Sequence, residues 1–330
     1  MTFQIQDISL NLSNMCLASC KYCQLHNPKF WRLNEEMGIN DIERLFNDPL
    51  LKDLKTIHLT GGSPYISPKF YATCEILSRT HPHVPVNSPC EGLYPFLLER
   101  LFRRIIKLLP QYRLGLSIDG PEEETHESVR GKGTWYPMVL TYTKLNNIGV
   151  DMRLEMTVYR ENYEYIYDTY KLSKRWKIPF YLNFGRWSKR FGNEKDDVQH
   201  YDYMEKVVKR IEEQINQFGW LDERPLNADK WKVQKAMMLG QKVTWDCAYG
   251  KKAIDVDPYG FVYPCLMYPE EMAFGNFKDR MFVDEPDKVT LAYLLSGTNK
   301  AKEIMERIRN KQCQPCPFTC CLHWSNIKVE

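Results

Sequence analysis

DISLNLSNMCLASCKYC, residues 7–23, is the stretch on which the reading of the whole chain turns. Its first half belongs to a predicted strand over 5–12. Directly behind that strand come Cys16, Cys20 and Cys23, three thiols within eight residues. Soft thiolates at such spacing select zinc, copper(I) or an iron–sulfur cluster. Zinc is the plain alternative, because His26 can complete a tetrahedron of three cysteines and one histidine.

Outward from this loop the pattern repeats. Strands are predicted over 5–12, 55–59, 84–87, 113–118, 150–158 and 179–184, and amphipathic helices over 41–46, 68–79, 94–108, 135–146, 162–176 and 198–218. Six strand–helix units with short links imply parallel strands joined by helical crossovers. Six are too few for a full eight-stranded barrel, so the expected fold is α/β, a partial (β/α)6 TIM-like barrel. Functional groups in such folds gather where strands end, at Thr60-Gly61-Gly62 after the second strand and Asp119-Gly120-Pro121 after the fourth. Past residue 235 the pattern changes. Residues 253–256 and 261–263 read as a hairpin turned by Asp257-Pro258-Tyr259-Gly260, and a helix over 300–309 leads into a cysteine-rich tail. Two domains are expected, 1–235 and a smaller one over 236–330.

The chain has 330 residues, 43% of them apolar and 13% aromatic, enough for a full hydrophobic core. Its 45 Lys and Arg against 42 Asp and Glu leave +3, which gives no electrostatic argument for a nucleic-acid partner. No basic, apolar secretory segment opens it and no apolar run is long enough for a membrane, so a cytoplasmic protein is expected. Eleven cysteines, an odd number in a chain without an export signal, argue against a disulfide framework. They also segregate. None lies between Cys90 and Cys247, whereas Cys247, Cys265, Cys313, Cys316, Cys320 and Cys321 crowd the far end, as metal ligands do. Cys74 reads as core, and His26, His58 and His126 as structural or solvated.

In context the first loop resembles the hallmark of the radical S-adenosylmethionine superfamily, a CxxxCxxC loop whose cysteines hold a 4Fe–4S cluster with one iron left open. Tyr22 matches the family's aromatic residue near the adenine. Gly61-Gly62-Ser63-Pro64 matches its Gly-Gly-x-Pro loop, whose backbone meets the methionine amino group; Ser63 departs from the acidic residue often found there. Ser117-Ile118-Asp119-Gly120-Pro121, followed by His126 and Arg130-Gly131-Lys132-Gly133, is similar to the peptide-modifying branch. The resemblance implies cofactor contacts by Tyr22, Gly61, Gly62, Ser63, Pro64, Ser117 (ribose), Asp119, Arg153 (carboxylate, with Arg130 as competitor) and Asn183. Cys90, placed at the third strand end, is the candidate hydrogen-atom donor, with a passive thiol as its alternative.

Cys247-x12-Gly260-x4-Cys265 resembles the opening of the SPASM and twitch extensions of that superfamily, and Gly275-Asn276-Phe277 fits the segment that follows. The small C-terminal Cys-rich domain is thus expected to be SPASM/twitch-like. The tail departs from a full SPASM pattern: the interval after Cys316 is short, and Cys320 and Cys321 are adjacent. One auxiliary 4Fe–4S cluster is the simpler expectation, two the fuller one, with Cys247, Cys265, Cys313 and Cys316 as ligands and Cys320 or Cys321 as a replacement. The implied function is reductive cleavage of S-adenosylmethionine to a 5′-deoxyadenosyl radical that takes a substrate hydrogen atom. The expected substrate is a ribosomally made peptide, crosslinked, oxidised or epimerised. The runner-up is a dehydrogenase or epimerase of an aminocyclitol, sugar or other small molecule, and a non-catalytic zinc module is the alternative of another class. Expected partners are a reductant such as flavodoxin or ferredoxin and, since only fifteen residues precede Cys16, a separate leader-peptide-binding protein.

Overall fold

Between residues 7 and 184 six strands follow one another with helices between them, two in succession between the fourth and fifth. The structure is a computed structural model that describes residues 3–184, 201–219, 231, 235–236, 238–239, 241, 243–245, 250–265, 272–278, 289–310 and 327–329. In chain order the first half contains β1 (Asp7–Asn11), α1 (Ile39–Phe46), β2 (Thr56–Thr60), α2 (Phe70–Thr80), β3 (Val86–Cys90), α3 (Pro95–Leu108) and β4 (Tyr112–Ser117). Then come α4 (Glu123–Arg130), α5 (Trp135–Asn147), β5 (Asp151–Val158), α6 (Ile166–Trp176), β6 (Phe180–Phe184) and α7 (Tyr201–Phe218). The remainder adds β7 (Val243–Trp245), β8 (Ala253–Val256), β9 (Phe261–Tyr263), β10 (Gly275–Asn276), α8 (Asn299–Arg309) and β11 (Ile327–Val329).

Local chemistry accounts for the helix ends. Asp41 Oδ2 accepts from Gly38 N at 2.9 Å and caps α1. Pro95 opens α3, where its missing N–H is no loss, and Leu98, Phe102 and Ile105 form the buried stripe behind it. Lys177 closes α6 in the left-handed conformation with φ 57°.

The six expected parallel strands are all present, paired in the order β1-β2-β3-β4-β5-β6. The sheet does not stop at β1. On its other side β8 pairs parallel to β1, with Asp7 opposite Ala253 and Leu10 opposite Val256, and β9 and β10 follow antiparallel. The predicted hairpin therefore lengthens the same sheet, to nine strands. Asp257 Oδ1 accepts from Tyr259 N at 2.9 Å and Phe261 N at 3.0 Å, and Gly260 adopts φ +92°, the geometry that the Asp-Pro-Tyr-Gly turn requires. A separate two-stranded ribbon pairs β7 with β11. Among the described residues no helix is long and apolar enough to cross a membrane.

The two faces of the sheet differ in chemistry. On one lie Ile8, Leu10, Ile57, Leu59, Val86, Leu114, Leu116, Leu154 and Met156, all buried in the main core under the helices. On the other, register aligns Ser9 with His58, Asn11 with Thr60, His58 with Asn87, Gly115 with Arg153, Glu155 with Tyr181 and Thr157 with Asn183. Parallel sheets normally bury both faces against apolar layers. A polar, partly exposed inner face in such a sheet is surface kept for a ligand.

Candidate functional site

The cysteine loop that follows β1 is fastened by backbone hydrogen bonds, not by its thiols. Gly62 N donates to Ser13 O at 2.8 Å and Ser63 N to Met15 O at 2.7 Å, which ties the loop to the end of β2. Lys21 N donates to Val129 O at 2.9 Å, which ties it to α4. Cys23 N donates to Cys20 O at 3.0 Å and closes a turn between the last two cysteines. The glycines of the second loop are demanded by this contact. A Cβ on Gly62 would stand 2.3 Å from Met15 O, and one on Gly61, whose φ is +141°, 2.4 Å from Ser13 O. Both are backbone atoms that cannot swing away. Gly62→Ala is therefore expected to displace the cysteine loop at a cost of about 1–3 kcal/mol, read as a lowered unfolding midpoint together with reduced iron uptake.

Cys16, Ala18, Cys20 and Leu25 form a small apolar cluster of their own, with Tyr22, Cys23, Phe30 and Leu93 packed on it. Burial pushes all three thiols up, Cys23 to about 12; the Glu91 carboxylate raises Cys16 further, while the Arg130 guanidinium works the other way on Cys20 and Cys23. Ligation has to displace those protons. Among the described residues no three His, Cys, Asp or Glu side chains converge on one metal ion. A zinc site built with His26 needs four donors at a single point. A four-iron cluster does not, since each thiolate takes a different iron. Three soft thiols on one apolar loop fit the cluster.

Behind the loop lies a buried ion pair that the sequence reading only touched. Arg130 Nε stands 2.6 Å from Asp119 Oδ2, the two side chains being 7% and 0% exposed. Tyr22 OH donates to Asp119 Oδ2 at 2.9 Å and accepts from Arg130 Nη2 at 2.7 Å, and Arg130 Nη1 approaches Cys20 Sγ at 3.9 Å. The second Asp119 oxygen accepts from Thr157 N at 2.8 Å. Tyr22 and Asp119 thus share one network with Arg130, the competing candidate, which comes from α4.

His126, also on α4, accepts from Asp119 N through Nδ1 at 3.3 Å and stacks edge-on against Trp135. Burial, with the nearby Arg130 charge second, pulls its pKa down to about 3. The folded protein thus keeps His126 neutral while the unfolded chain protonates it near 6.5. Below that pH the unfolded state binds the extra proton, so stability falls as pH drops from about 6.5 toward 3, by up to about 1.4 kcal/mol per pH unit. Denaturant melts across that window should show a shallower acid slope for His126→Gln.

Arg153 and Asn183 lie on the polar face of the sheet. Arg153 Nε is 2.5 Å from Glu155 Oε1, Nη1 donates to Asn87 Oδ1 at 2.9 Å, and Asn183 Nδ2 donates to Glu155 Oε2 at 3.4 Å. The Arg153 fork is thus engaged by the protein's own carboxylate. Ser117 ends β4 beside Glu155 in register and is 8% exposed. Ser63 is fully buried and donates to Glu91 Oε1 at 2.5 Å; Pro64 opens a short helical turn behind it. Glu91, the first residue past β3, went unremarked in the sequence because nothing about a lone glutamate announces burial.

Cys90 needs a correction. It was placed at a strand end facing the site, but β3 runs on to residue 90, so Val86, Ser88 and Cys90 share one face. That face is the apolar one: Cys90 pairs with Leu116 in register and is fully buried in the main core, as is Cys74.

Of the far cysteines, Cys265 lies two residues past β9, whereas Cys247, Cys313, Cys316, Cys320 and Cys321 fall outside the described residues. Because β9 runs opposite to β8, Cys265 stands toward the end of the sheet away from the cysteine loop. The hairpin turn is at the near end. Tyr259 OH donates to Phe30 O and accepts from Asn14 Nδ2, both at 3.1 Å. The Gly275-Asn276-Phe277 segment docks on the same turn through Phe277 N to Gly260 O at 2.7 Å.

Comparison with known proteins agrees with this geometry. Residues 10–173 match the family model of the Radical SAM superfamily. The antilisterial bacteriocin subtilosin biosynthesis protein AlbA of Bacillus subtilis is 25% identical over 281 residues, 81% of this chain and 56% of AlbA. The mycofactocin maturase MftC of Mycolicibacterium smegmatis is 21% identical over 267 residues, 78% of this chain and 63% of MftC. The chain thus spans less than two thirds of the length of these curated relatives. Among solved structures, native anSMEcpe with bound AdoMet and Kp18Cys peptide superposes with a TM-score of 0.60 at 16% identity, covering 94% of this chain and 88% of that one, a likeness of fold.

Proposed function

We propose, from the match of residues 10–173 to the Radical SAM superfamily model, that the chain is a radical SAM enzyme that modifies a peptide by abstracting one of its hydrogen atoms. The observation that carries the reading is the loop of Cys16, Cys20 and Cys23, locked by Ser13 and Met15 onto the Gly61-Gly62-Ser63-Pro64 turn at the neighbouring strand end. Cys16, Cys20 and Cys23 would hold a 4Fe–4S cluster, which would supply the electron for reductive cleavage of S-adenosylmethionine. The chain's own residues bind and orient. Tyr22, held by Asp119 and Arg130, borders the adenine side; Gly61, Gly62, Ser63 and Pro64 receive the amino acid end; Ser117 faces the ribose; Arg153 and Asn183 line the polar face on which cofactor and substrate meet. The apolar shell of Leu25, Phe30 and Leu93 keeps water from the cluster.

The peptide reading is favoured by the relatives: one is named for bacteriocin biosynthesis, one is a maturase, and one was solved with a peptide. A partial barrel over 1–235 and a twitch-like domain over 236–330 fit that function. Cys247, Cys265, Cys313 and Cys316, with Cys320 or Cys321 in reserve, would hold one auxiliary cluster. With four cysteine ligands no iron is open, so electron transfer is its natural task, from a flavodoxin- or ferredoxin-type donor or out of the substrate. A separate leader-binding protein would deliver the peptide.

Anaerobic protein should be brown and carry about seven to eight irons per chain with both clusters in place. Incubated with dithionite, S-adenosylmethionine and candidate peptides, it should release 5′-deoxyadenosine and change the mass of one peptide. A loss of two hydrogens marks a crosslink or oxidation; one solvent deuterium gained marks an epimerisation. A colourless, zinc-loaded protein that releases no nucleoside would end the proposal.

A further inference from the structure

The solvent face of α3 and α5 carries a charge that the chain as a whole does not. Residues 92–108 and 131–147 hold six basic side chains, Arg100, Arg103, Arg104, Lys107, Lys132 and Lys144, against one acid, Glu99, in a chain whose totals are 45 and 42. Glu99 is shared by Arg103 and Lys144, each at 2.7 Å, so the other four have no acidic partner among the described residues. Arg100, Arg103 and Lys107 follow Phe96 at helical spacing. They form one outward stripe along α3, opposite the buried Leu98, Phe102 and Ile105.

Toward the cysteine loop the same face turns apolar. Phe96 and Tyr136 are 70% and 69% exposed, and Leu140 follows Tyr136 one turn on, also exposed. Lys144 reaches across from α5 to within 4.4 Å of the Phe96 ring centroid, so the two helices present one surface. That surface borders the loop. Thr141 Oγ1 on α5 donates to Gly92 O at 2.7 Å, and the next residue, Leu93, packs on the apolar cluster of Cys16 and Cys20. On the loop itself Leu17, set between two of the thiols, is 59% exposed, and Ser19 abuts Gly131, the neighbour of Lys132. Large apolar side chains left bare within a charged rim mark a protein-binding surface.

We infer that this face docks a small acidic one-electron carrier protein, of the flavodoxin or ferredoxin class, that reduces the cluster of the cysteine loop. The inference rests on the radical SAM reading and adds to it the side from which the electron arrives. The sheet decides between donor and substrate. A peptide has to reach the polar inner face, whereas α3 and α5 cover the apolar one. A donor has only to come near the thiols, and the patch begins at Leu17 and Leu93, which flank them. The basic stripe steers an acidic carrier, and Phe96, Tyr136 and Leu140 seat it. One electron passes: the carrier is oxidised by one and the cluster reduced by one, with no bond of this chain formed or broken. With the donor seated there, the auxiliary cluster keeps the other of its two roles, taking an electron out of the substrate.

Two readouts on the anaerobically reconstituted protein test it. One is the Kd for oxidised flavodoxin and for an oxidised ferredoxin, by calorimetry without S-adenosylmethionine. The other is the rate of 5′-deoxyadenosine release driven by the reduced carrier or by dithionite. Arg100→Glu/Lys132→Glu should weaken carrier binding by about tenfold or more and slow the carrier-driven rate with it, while the dithionite-driven rate stays that of wild type. Added salt should weaken wild-type binding and change the variant little. Lys206→Glu/Lys209→Glu makes the same charge change on the exposed side of α7, past β6, and should stay within about twofold of wild type. Phe96→Ser/Tyr136→Ser keeps the charge and should weaken binding several-fold. The docking face is overturned, and the radical SAM reading left standing, by any of three results: wild type binds neither carrier, the α7 pair loses as much as Arg100→Glu/Lys132→Glu, or both variants of this face bind as wild type does. If wild type releases no nucleoside with dithionite, the parent reading falls and this inference falls with it.

Discussion

Alanine at Cys16, Cys20 and Cys23 together is expected to abolish release of 5′-deoxyadenosine while leaving the apoprotein folded. Activity should fall to the background of dithionite and cofactor alone. Iron should drop by about four per chain, the content of one cluster, with the remainder held by the far cysteines. The separation of the two effects is what gives the experiment force. The loop is fastened through Gly62 N to Ser13 O, Ser63 N to Met15 O, Lys21 N to Val129 O and Trp31 Nε1 to Leu25 O, none of which involves a thiol. Removing each sulfur deletes one heavy atom from a small apolar cluster and should cost about 1 kcal/mol or less. The unfolding midpoint of the metal-free variant should therefore lie close to that of metal-free wild type, whereas nucleoside release should vanish. If turnover persisted in the triple variant, the open-iron mechanism would be wrong. If the apoprotein unfolded outright, the thiols would be structural, as in the zinc-module alternative.

Much of the architecture was legible because it is written in apolar period. Leu98, Phe102 and Ile105 announce α3, and alternating β5, with Met152, Leu154, Met156 and Val158 buried, announces itself equally well. What escaped shares one property: polar side chains that are buried. The inward face of α4 is Thr125, His126, Val129 and Arg130, so a period built on apolar residues passes over it. The same blindness hid Glu91. Cys90 failed for a different reason. Ending β3 at residue 87, ahead of Pro89, made Cys90 a loop residue free to face the site; extended to residue 90, the strand's two-residue period puts it with Val86 in the core. The joining of β8 to β1 was not legible either, because a parallel pairing between residues 7–10 and 253–256 leaves no local trace.

Arg130→Met should be strongly destabilising, by about 3–5 kcal/mol, because it leaves a carboxylate in the interior with no cation. Asp119 is 0% exposed and holds three things at once: the guanidinium, the Tyr22 hydroxyl and the amide of Thr157 on β5. Losing the guanidinium also strips Tyr22 of a donor at 2.7 Å and Cys20 of its nearby cation. Lysine is no substitute, since a single ammonium cannot reach Asp119, Tyr22 and Cys20 together as a planar fork does. The paired variant Asp119→Asn/Arg130→Met removes both charges and should recover a large part of the loss, a positive coupling readable from denaturant melts of the four proteins in the cycle. A loss below about 1 kcal/mol for Arg130→Met would reduce the pair to the value of a surface salt bridge. The expectation of a large loss follows from what else holds α4 in place. That helix buries one large apolar side chain, Val129, so the ion pair is its main anchor to the sheet. Its carbonyl at Val129 in turn holds Lys21 of the cysteine loop, and a Cβ on Gly131 at its end would strike Ser19 Oγ at 2.1 Å. Loss of the pair should therefore reach the thiols: iron uptake by Arg130→Met should fall along with stability, and recover with it in the neutral double variant.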